Sequence, residues 1–145
     1  MVLDAIDKHV LSALQTDARI PYAELGRQVG LTAPAVTERV RKLEGSGIVT
    51  GYHASIDLGK AGMKLVAFVR ITAPIELAGQ LQSIATESSE VLEFHRVTGT
   101  EGFVLKVAVP SVEGLERLIL KLLPFGQTTT SIVLSSPVTW REIPF

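Results

Sequence analysis

The chain has 145 residues, of which 46% are hydrophobic and 20% are charged, and its formal net charge is −1. A chain this apolar and weakly charged can bury a core, so intrinsic disorder is excluded, and its length suits one domain or two small ones. The longest strongly apolar run, residues 65–69, is far shorter than the roughly 20 residues that span a bilayer, and the absence of cysteine excludes disulfides and thiolate metal sites.

The start of the chain has the hydrophobic periodicity of helices. Apolar side chains recur at three- and four-residue steps over residues 3–14, which predicts one amphipathic helix. Charged residues interrupt this stretch, which is not the pattern of a signal peptide, so we expect a cytoplasmic protein. Pro21 suits the opening of a second helix over residues 22–29, and Gly30 suits its end.

A third helix is predicted from Thr32, a candidate N-cap, to the glycines at positions 45 and 47. An extended stretch follows over residues 48–56, and glycines at positions 59 and 62 mark a boundary. We therefore expect a (winged) helix-turn-helix domain over residues 1–60. In the third helix, helical spacing predicts that three side chains point inward: Val36, Val40 and Leu43.

The rest of the chain, residues 61–145, alternates strand and helix patterns. Strand-like runs cover residues 64–73, 91–97, 103–109 and 128–134, and helical spacing covers residues 76–88 and 111–123. The order β-α-β-β-α-β is that of a ferredoxin-like αβ-sandwich. The predicted fold class is therefore α+β, with a helix-turn-helix domain followed by an αβ-sandwich domain.

The third helix has a polar face opposite its apolar stripe. Small residues at its start permit close approach to base edges or phosphates, and its basic side chains can bind guanine or phosphate. Charge at this spacing is often only a solvated surface, but the preceding helices, the glycine turn and the β stretch afterwards favour DNA binding. The candidate DNA-binding residues are Thr32, Pro34, Ala35, Thr37, Glu38, Arg39, Arg41 and Lys42.

At this point the chain resembles the Lrp/AsnC (feast/famine) transcriptional regulators over essentially its whole length. The motifs that carry the resemblance are Leu3-Asp4-x-x-Asp7, Ala23-Glu24-Leu25-x-x-x-Val29-Gly30-Leu31-Thr32 and Val36-x-Glu38-Arg39-Val40-Arg41-x-Leu43-Glu44-x-x-Gly47-Ile48-Val49-x-Gly51-Tyr52. The resemblance implies a regulator that binds operator DNA, with an effector domain that commonly takes an amino acid. It also implies that dimers assemble into tetramers or octamers.

The predicted sheet carries apolar residues on both faces. In the first strand, Val66 and Phe68 lie on the face opposite the apolar row at positions 65, 67, 69 and 71. In the third strand, Val104 and Ala108 lie on the face opposite the apolar row at positions 103, 105, 107 and 109. The mean hydropathy of +0.32 is also high for a small monomer. We therefore expect a homodimer through this sheet, reading two DNA half-sites about 34 Å or a multiple of that apart.

The loop between the second and third strands aligns with the loop that lines the effector pocket in the family. Gly102 stands where the family usually has an acidic residue, Thr100 often has an acidic counterpart, and Phe103 lacks a tyrosine hydroxyl. Glycine-rich backbone can still bind a carboxylate, although a plain β-connection explains the same glycines. The candidate effector-binding residues are Gly99, Thr100, Glu101, Gly102, Phe103, Thr128 and Thr130.

Catalysis has little support in the sequence. His9, His53 and His95 fall on three different predicted elements, so no metal-ligand spacing is visible, and we expect neither an enzyme nor a metal or other cofactor. Certain tetrapyrrole decarboxylases resemble the same two-part architecture, but no clustered histidine-arginine signature marks them here. The nearer alternative is an architectural protein that bends or wraps DNA without a ligand.

Overall fold

A computed structural model describes residues 2–100 and 102–145 of the chain. The chain divides into two compact units, one formed by Met1–Ser55 with Val138–Phe145 and the other by Ile56–Pro137. This division falls five residues before the boundary expected from the sequence, and it places the C-terminal segment with the first unit. No helix of the described residues is long and apolar enough to cross a membrane.

The first unit contains three helices: α1 (Ala5–Thr16), α2 (Tyr22–Val29) and α3 (Ala33–Gly45). The α1 helix begins with a capping box, in which the side chains of Asp4 and Asp7 each accept the other residue's backbone N–H. The apolar stripes predicted from the sequence meet in one core, whose buried members are Val10, Leu11, Leu14, Leu25, Val36, Val40 and Leu43.

The turn between α2 and α3 depends on two glycines. Gly30 ends α2 with φ 73°, a left-handed conformation that favours glycine. Gly26 lies inside α2, where a Cβ atom would stand 2.5 Å from the carbonyl oxygen of Leu31. The N–H of Leu31 donates to the carbonyl of Gly26 at 2.8 Å, so the backbone of the turn packs directly on the helix.

The segment after α3 forms no strand within the described residues. Residues 51–57 run without regular secondary structure, so the expected wing has no hairpin here. A β-strand needs a neighbour for its backbone N–H and C=O groups, and this segment pairs with no strand among the residues that the structure describes.

The C-terminal segment packs on α1, a contact that the sequence analysis did not predict. The side-chain amide of Gln15 donates to the carbonyl of Ile143 at 3.2 Å and accepts the N–H of Ile143 at 2.8 Å. The hydroxyl of Thr16 donates to a carboxylate oxygen of Glu142 at 2.8 Å. Two consecutive residues at the end of α1 therefore hold two consecutive residues of the segment.

The second unit has the β-α-β-β-α-β order predicted from the sequence. Its strands are β1 (Leu65–Thr72), β2 (Val91–Arg96), β3 (Phe103–Val109) and β4 (Gln127–Ile132), and its helices are α4 (Ala78–Glu87) and α5 (Val112–Leu122). A short 3₁₀ turn precedes α4 at Ile75–Leu77, and another follows α5 at Leu123–Phe125. The strands form one antiparallel sheet in the order β2-β3-β1-β4.

Both helices pack on one face of this sheet. Alternate residues of β1 and β3 join α4 and α5 in a single core whose buried members are Ala67, Val69, Ile71, Leu81, Ala85, Phe103, Leu105, Val107, Val109, Leu115, Leu118 and Leu122. The intervening residues form the opposite face, here called the open face. The predicted assignment of Val66, Phe68, Val104 and Ala108 to this face is confirmed by the strand register.

Candidate nucleic-acid interface and effector loop

The orientation of α3 is determined by its two ends and its buried stripe. Thr32 is the N-cap, as predicted, and its hydroxyl accepts the N–H of Ala35 at 3.4 Å. Val36, Val40 and Leu43 are almost completely buried. Because these three side chains hold one side of the helix in the core, the opposite side must face outward.

The outward side of α3 carries most of the predicted DNA-binding residues. Pro34, Thr37, Glu38, Arg41 and Lys42 are exposed, and Ala35 is half-buried beside them. The ammonium of Lys42 lies 3.8 Å from a carboxylate oxygen of Glu38, while Arg41 forms no ion pair with any residue the structure describes. The structure therefore brings these six residues to one surface, here called the α3 face.

Arg39 does not share this arrangement, because its side chain turns towards the start of α1. One guanidinium nitrogen, Nη1, lies 2.8 Å from Oδ2 of Asp4 and 2.6 Å from Oδ1 of Asp7. Arg39 is 29% exposed and Asp7 only 7% in their side chains. The hydrogen bond from the backbone of Asp7, and then the one from Arg39, lower the pKa of Asp4.

Arg39 therefore links the middle of α3 to the capping box of α1. From the sequence alone, its charge is predicted to belong to the DNA-binding set. Asp4 and Asp7 near the start of the predicted first helix suit its dipole, but nothing in their spacing indicates a cation 32 positions beyond Asp7. This ion-paired group, like the packing of the C-terminal segment on α1, is a feature of the first unit that the sequence does not predict.

A second side-chain contact holds the segment that follows α3. The hydroxyl of Tyr52 donates to Oε1 of Glu44 at 2.9 Å. Burial, and then the neighbouring Glu44 carboxylate, raise the pKa of Tyr52 to about 12. The hydroxyl therefore stays protonated at neutral pH and remains a donor to Glu44.

The candidate effector residues lie at one end of the sheet, but in different settings. Gly99 has φ 105°, which glycine adopts readily, while Glu101 lies outside the described residues. Phe103 is 1% exposed, and its ring stacks on that of Phe94 with centroids 5.8 Å apart. Its side chain is thus part of the core, so only its backbone is available to a ligand.

Thr128 and Thr130 are half-buried on β4, on the same side of the sheet as the core. Ile71 of β1 pairs with Phe103 on one side and with Thr128 on the other. The start of β4 and the end of the loop are therefore two strand spacings apart, or about 9–10 Å. The register places the loop and Thr128 at the same end of the sheet, while Thr130 lies two residues further along β4.

Neither of two shallow depressions along α4 involves these residues. They measure about 170 and 230 Å³, and α4 with the neighbouring β2 provides their linings. The described residues also contain no group of three or more histidine, aspartate or glutamate side chains placed to hold a metal ion.

Comparisons with known proteins match both units. Residues 3–44 match the AsnC-type helix-turn-helix domain, and residues 66–143 match the Lrp/AsnC ligand binding domain. The chain is 40% identical, over 92% of its length and 95% of the relative's, to the uncharacterized HTH-type transcriptional regulator YezC of Bacillus subtilis. It is 34% identical to the leucine-responsive regulatory protein of Escherichia coli K12, over 91% of this chain and 85% of that one.

The solved structures give the same picture for the fold. The structure of LrpC from B. subtilis matches over 97% of this chain and 100% of its own, with a TM-score of 0.90 and 33% sequence identity. The relatives that match are transcriptional regulators, and the fold class inferred from the sequence, a helix-turn-helix followed by an αβ-sandwich, is confirmed.

Proposed function

The chain belongs to the Lrp/AsnC family of transcriptional regulators, and from this premise we propose how it acts. It binds double-stranded operator DNA through the α3 face, works as a homodimer or an assembly of dimers, and responds to a small molecule such as an amino acid. The observation that carries the proposal is the α3 face itself: a polar surface on a helix whose other side is held in the core.

The N-cap residue of α3 and the parts of the α3 face have separate roles in binding DNA. Thr32, Pro34 and Ala35 are small, so the start of the helix can approach base edges or phosphates closely. Arg41 has a free guanidinium fork for guanine or phosphate, and Lys42 supplies a point charge. Arg39 acts indirectly, because its bond to α1 keeps α3 at the angle that presents the face.

The contacts on this face can be tested through the salt dependence of DNA binding. Arg41→Ala and Lys42→Ala should each weaken binding and, for a phosphate contact, reduce the slope of log affinity against log salt by about one. Exposed Lys60→Ala, in the other unit, is the matched control and should leave the slope unchanged. Unaltered slopes in both α3 variants would contradict the proposal.

The open face of the sheet supports the homodimer. Phe68 lies at the centre of this face and is 38% exposed. Its register partners are Lys106 on β3 and Ser131 on β4. Val66 and Val104 are half-buried on the same face. Apolar side chains between polar ones are typical of an interface core with a polar rim. A second copy of the chain is the partner we propose.

Phe68→Asp tests this dimer, because a carboxylate at the centre of an apolar contact loses its hydration without gaining a partner. We expect the sheet pairing to dissociate, and light scattering to show a lower mass than for the unmodified chain. Thr129→Asp, at the margin of the same face, is the control and should change the mass little. An unchanged mass in Phe68→Asp would mean that the sheet is not the interface.

The effector proposal rests on the loop and the start of β4. The relative from E. coli is named for its response to leucine, and in this proposal the backbone N–H groups of Gly99, Thr100 and Gly102 donate to the carboxylate of the effector. The hydroxyl of Thr128 lies at the same end of the sheet. Glu101 also belongs to the effector-binding residues proposed from the sequence. Phe103 contributes only its backbone, and Thr130 lines the proposed site at a greater distance from the loop.

The burial of Phe103 also favours a second candidate function, that of an architectural DNA-binding protein without an effector. Footprinting the chain on its own upstream DNA, with and without each of the twenty amino acids, separates the two functions. A footprint that changes with one amino acid supports the effector. Protection that stays identical across the panel, with an unchanged oligomer, supports the architectural role, and no protection contradicts both.

We propose no catalytic role for this chain. His9, His53 and His95 lie on α1, on the irregular segment after α3 and on β2, and the polar partner of His95 is Glu93, at 3.0 Å. Titration with a tetrapyrrole should leave the absorption spectrum of the mixture equal to the sum of its components. A shifted tetrapyrrole band would instead support the decarboxylase-like alternative.

A further inference from the structure

The α3 face changes in chemistry along the helix axis. Its part nearer the start of the helix presents three uncharged side chains: Pro34, Ala35 and Thr37. Its part nearer the end presents three charged ones: Glu38, Arg41 and Lys42. In a recognition helix, the N-terminal residues are the ones that contact base edges in the major groove. The uncharged part of the face is therefore the part that meets the bases.

Thr37 is exposed in this part of the face, but its hydroxyl is bonded to the helix itself. The Oγ1–H group donates to the carbonyl oxygen of Ala33, one turn earlier, at 2.9 Å. A threonine hydroxyl has a single proton, so in this arrangement it cannot donate to a phosphate or to an acceptor atom of a base. The other branch of the side chain, the Cγ2 methyl group, is the branch that remains for a partner.

Pro34 and the methyl group of Thr37 form a small apolar patch at the start of α3. The two residues are three positions apart, which places them on adjacent turns of the same side, about 4.5 Å apart along the axis. Both are exposed. Among the base edges in the major groove, thymine is the one that presents an apolar group, its C5-methyl. The base that fits this patch is therefore thymine.

We propose that Thr37 determines part of the DNA specificity of this chain by packing its methyl group on the C5-methyl group of a thymine in each half-site. This step rests on the proposed function, since it requires the α3 face to enter the major groove. Phosphate contacts position a protein on DNA, while contacts with base edges read the sequence. Arg41 and Lys42 then contribute affinity through their charge, and Thr37 distinguishes thymine from the other bases.

Removing the methyl group of the base tests this contact from the side of the DNA. The unmodified chain selects a duplex from a random-sequence pool, and each thymine of that duplex is then replaced in turn by uracil, which lacks the C5-methyl group. The loss of one buried methyl contact corresponds to an affinity about fourfold weaker. We expect this loss at a thymine in each half-site. A duplex in which no replacement weakens binding would overturn the proposal.

Two variants of Thr37 test the contact from the side of the protein. Thr37→Ser keeps the hydroxyl and removes the methyl group, so it should weaken binding about fourfold in each half-site and no longer distinguish thymine from uracil. Thr37→Val is the matched control, because it keeps the methyl group and removes the hydroxyl, and it should retain both the affinity and the discrimination. A Thr37→Ser chain that still discriminates, or a Thr37→Val chain that does not, would show that the methyl group is not the reading group.

The thymine contact can fail without the proposed function failing. Because a methyl contact carries no charge, Thr37→Ser should leave the slope of log affinity against log salt unchanged, while Arg41→Ala and Lys42→Ala should each reduce it. Reduced slopes in those two variants, with no effect of uracil at any thymine, would overturn the thymine contact alone. Unaltered slopes in both would contradict the proposed binding of DNA by the α3 face itself.

Discussion

The two units achieve their structures by different means. The first has seven buried apolar side chains, and its helices also depend on a close backbone approach at Gly26 and on the ion-paired group of Asp4, Asp7 and Arg39. Among the described residues, the core of the second has twelve buried apolar side chains between a sheet and two helices. The ion pairs described in it lie at the surface, as in the pair of Lys106 and Glu93 at 2.8 Å.

This difference follows from size. A unit of about sixty residues buries a smaller fraction of its surface than a larger one, so individual contacts account for more of its stability. The two surfaces proposed to bind partners also differ: the α3 face of the first unit is charged, and the open face of the second exposes the apolar ring of Phe68. Single substitutions should therefore affect the two units to different extents.

The largest expected effect is that of Gly26→Ala. Its methyl group would meet the carbonyl oxygen of Leu31 at 2.5 Å, and because that oxygen belongs to the backbone of the turn, α2 and α3 must separate. We expect the first unit to lose about 3 kcal/mol of unfolding free energy, while the second keeps its hydrogen-exchange protection. Gly45→Ala, where no atom lies within 4 Å, is the control. Equal protection in the two variants would contradict the role of Gly26.

Arg39→Ala should have the next largest effect. It leaves the buried carboxylate of Asp7 without its cation, which should cost the first unit about 1–3 kcal/mol in unfolding free energy. Lys106→Ala removes a cation from an exposed pair in the second unit and should cost less than about 1 kcal/mol. Chemical denaturation of each variant checks the comparison. If the two substitutions lower the unfolding free energy equally, the polar contacts of the two units contribute equally to stability.

The sequence predicts the fold of both units well, because hydrophobic periodicity is local. The inward stripe of α3 and the alternation along β1 can be read from neighbouring residues, and both are confirmed by burial. What it does not predict is contact between distant residues. Nothing local brings Ile143 to Gln15, 128 positions away, and the extended stretch after α3 looks like a strand because periodicity does not show whether a partner strand exists.

The candidate sites show the same limit. Helical spacing predicts which side of α3 faces outward, but Arg39 lies at the edge of that sector, and only the position of α1 decides where its side chain goes. The family loop suggests Phe103 as a pocket residue, while strand alternation places it on the core face with Leu105 and Val107. In both cases the sequence pattern predicts on which side of its helix or strand a residue lies. It does not predict which side chain of another element that residue contacts.

A smaller effect is expected from Gln15→Ala, which removes both amide contacts with Ile143. Because these hydrogen bonds are neutral and partly exposed, the cost should be about 0.5–1 kcal/mol. Amide exchange should accelerate at Ile143, while the amides of α3 stay protected. Ser12→Ala, on the same helix, is the control. Unchanged exchange at Ile143 would show that the Gln15 side chain does not hold the C-terminal segment on α1.

The smallest expected effect is the contribution of Asp4 to the pH dependence of the first unit. The pKa of Asp4 is lowered from its ordinary value of 3.8, so the folded state binds this proton less readily than the unfolded state. The stabilisation is therefore complete above pH 3.8 and is lost as the pH falls through the lowered pKa. Asp4→Asn keeps a good N-cap residue but removes the titration, so its melting temperature should fall less between pH 5 and pH 2, by calorimetry, than that of the unmodified chain. Parallel curves for the two chains would show that the Asp4 charge does not contribute to the acid sensitivity of this unit.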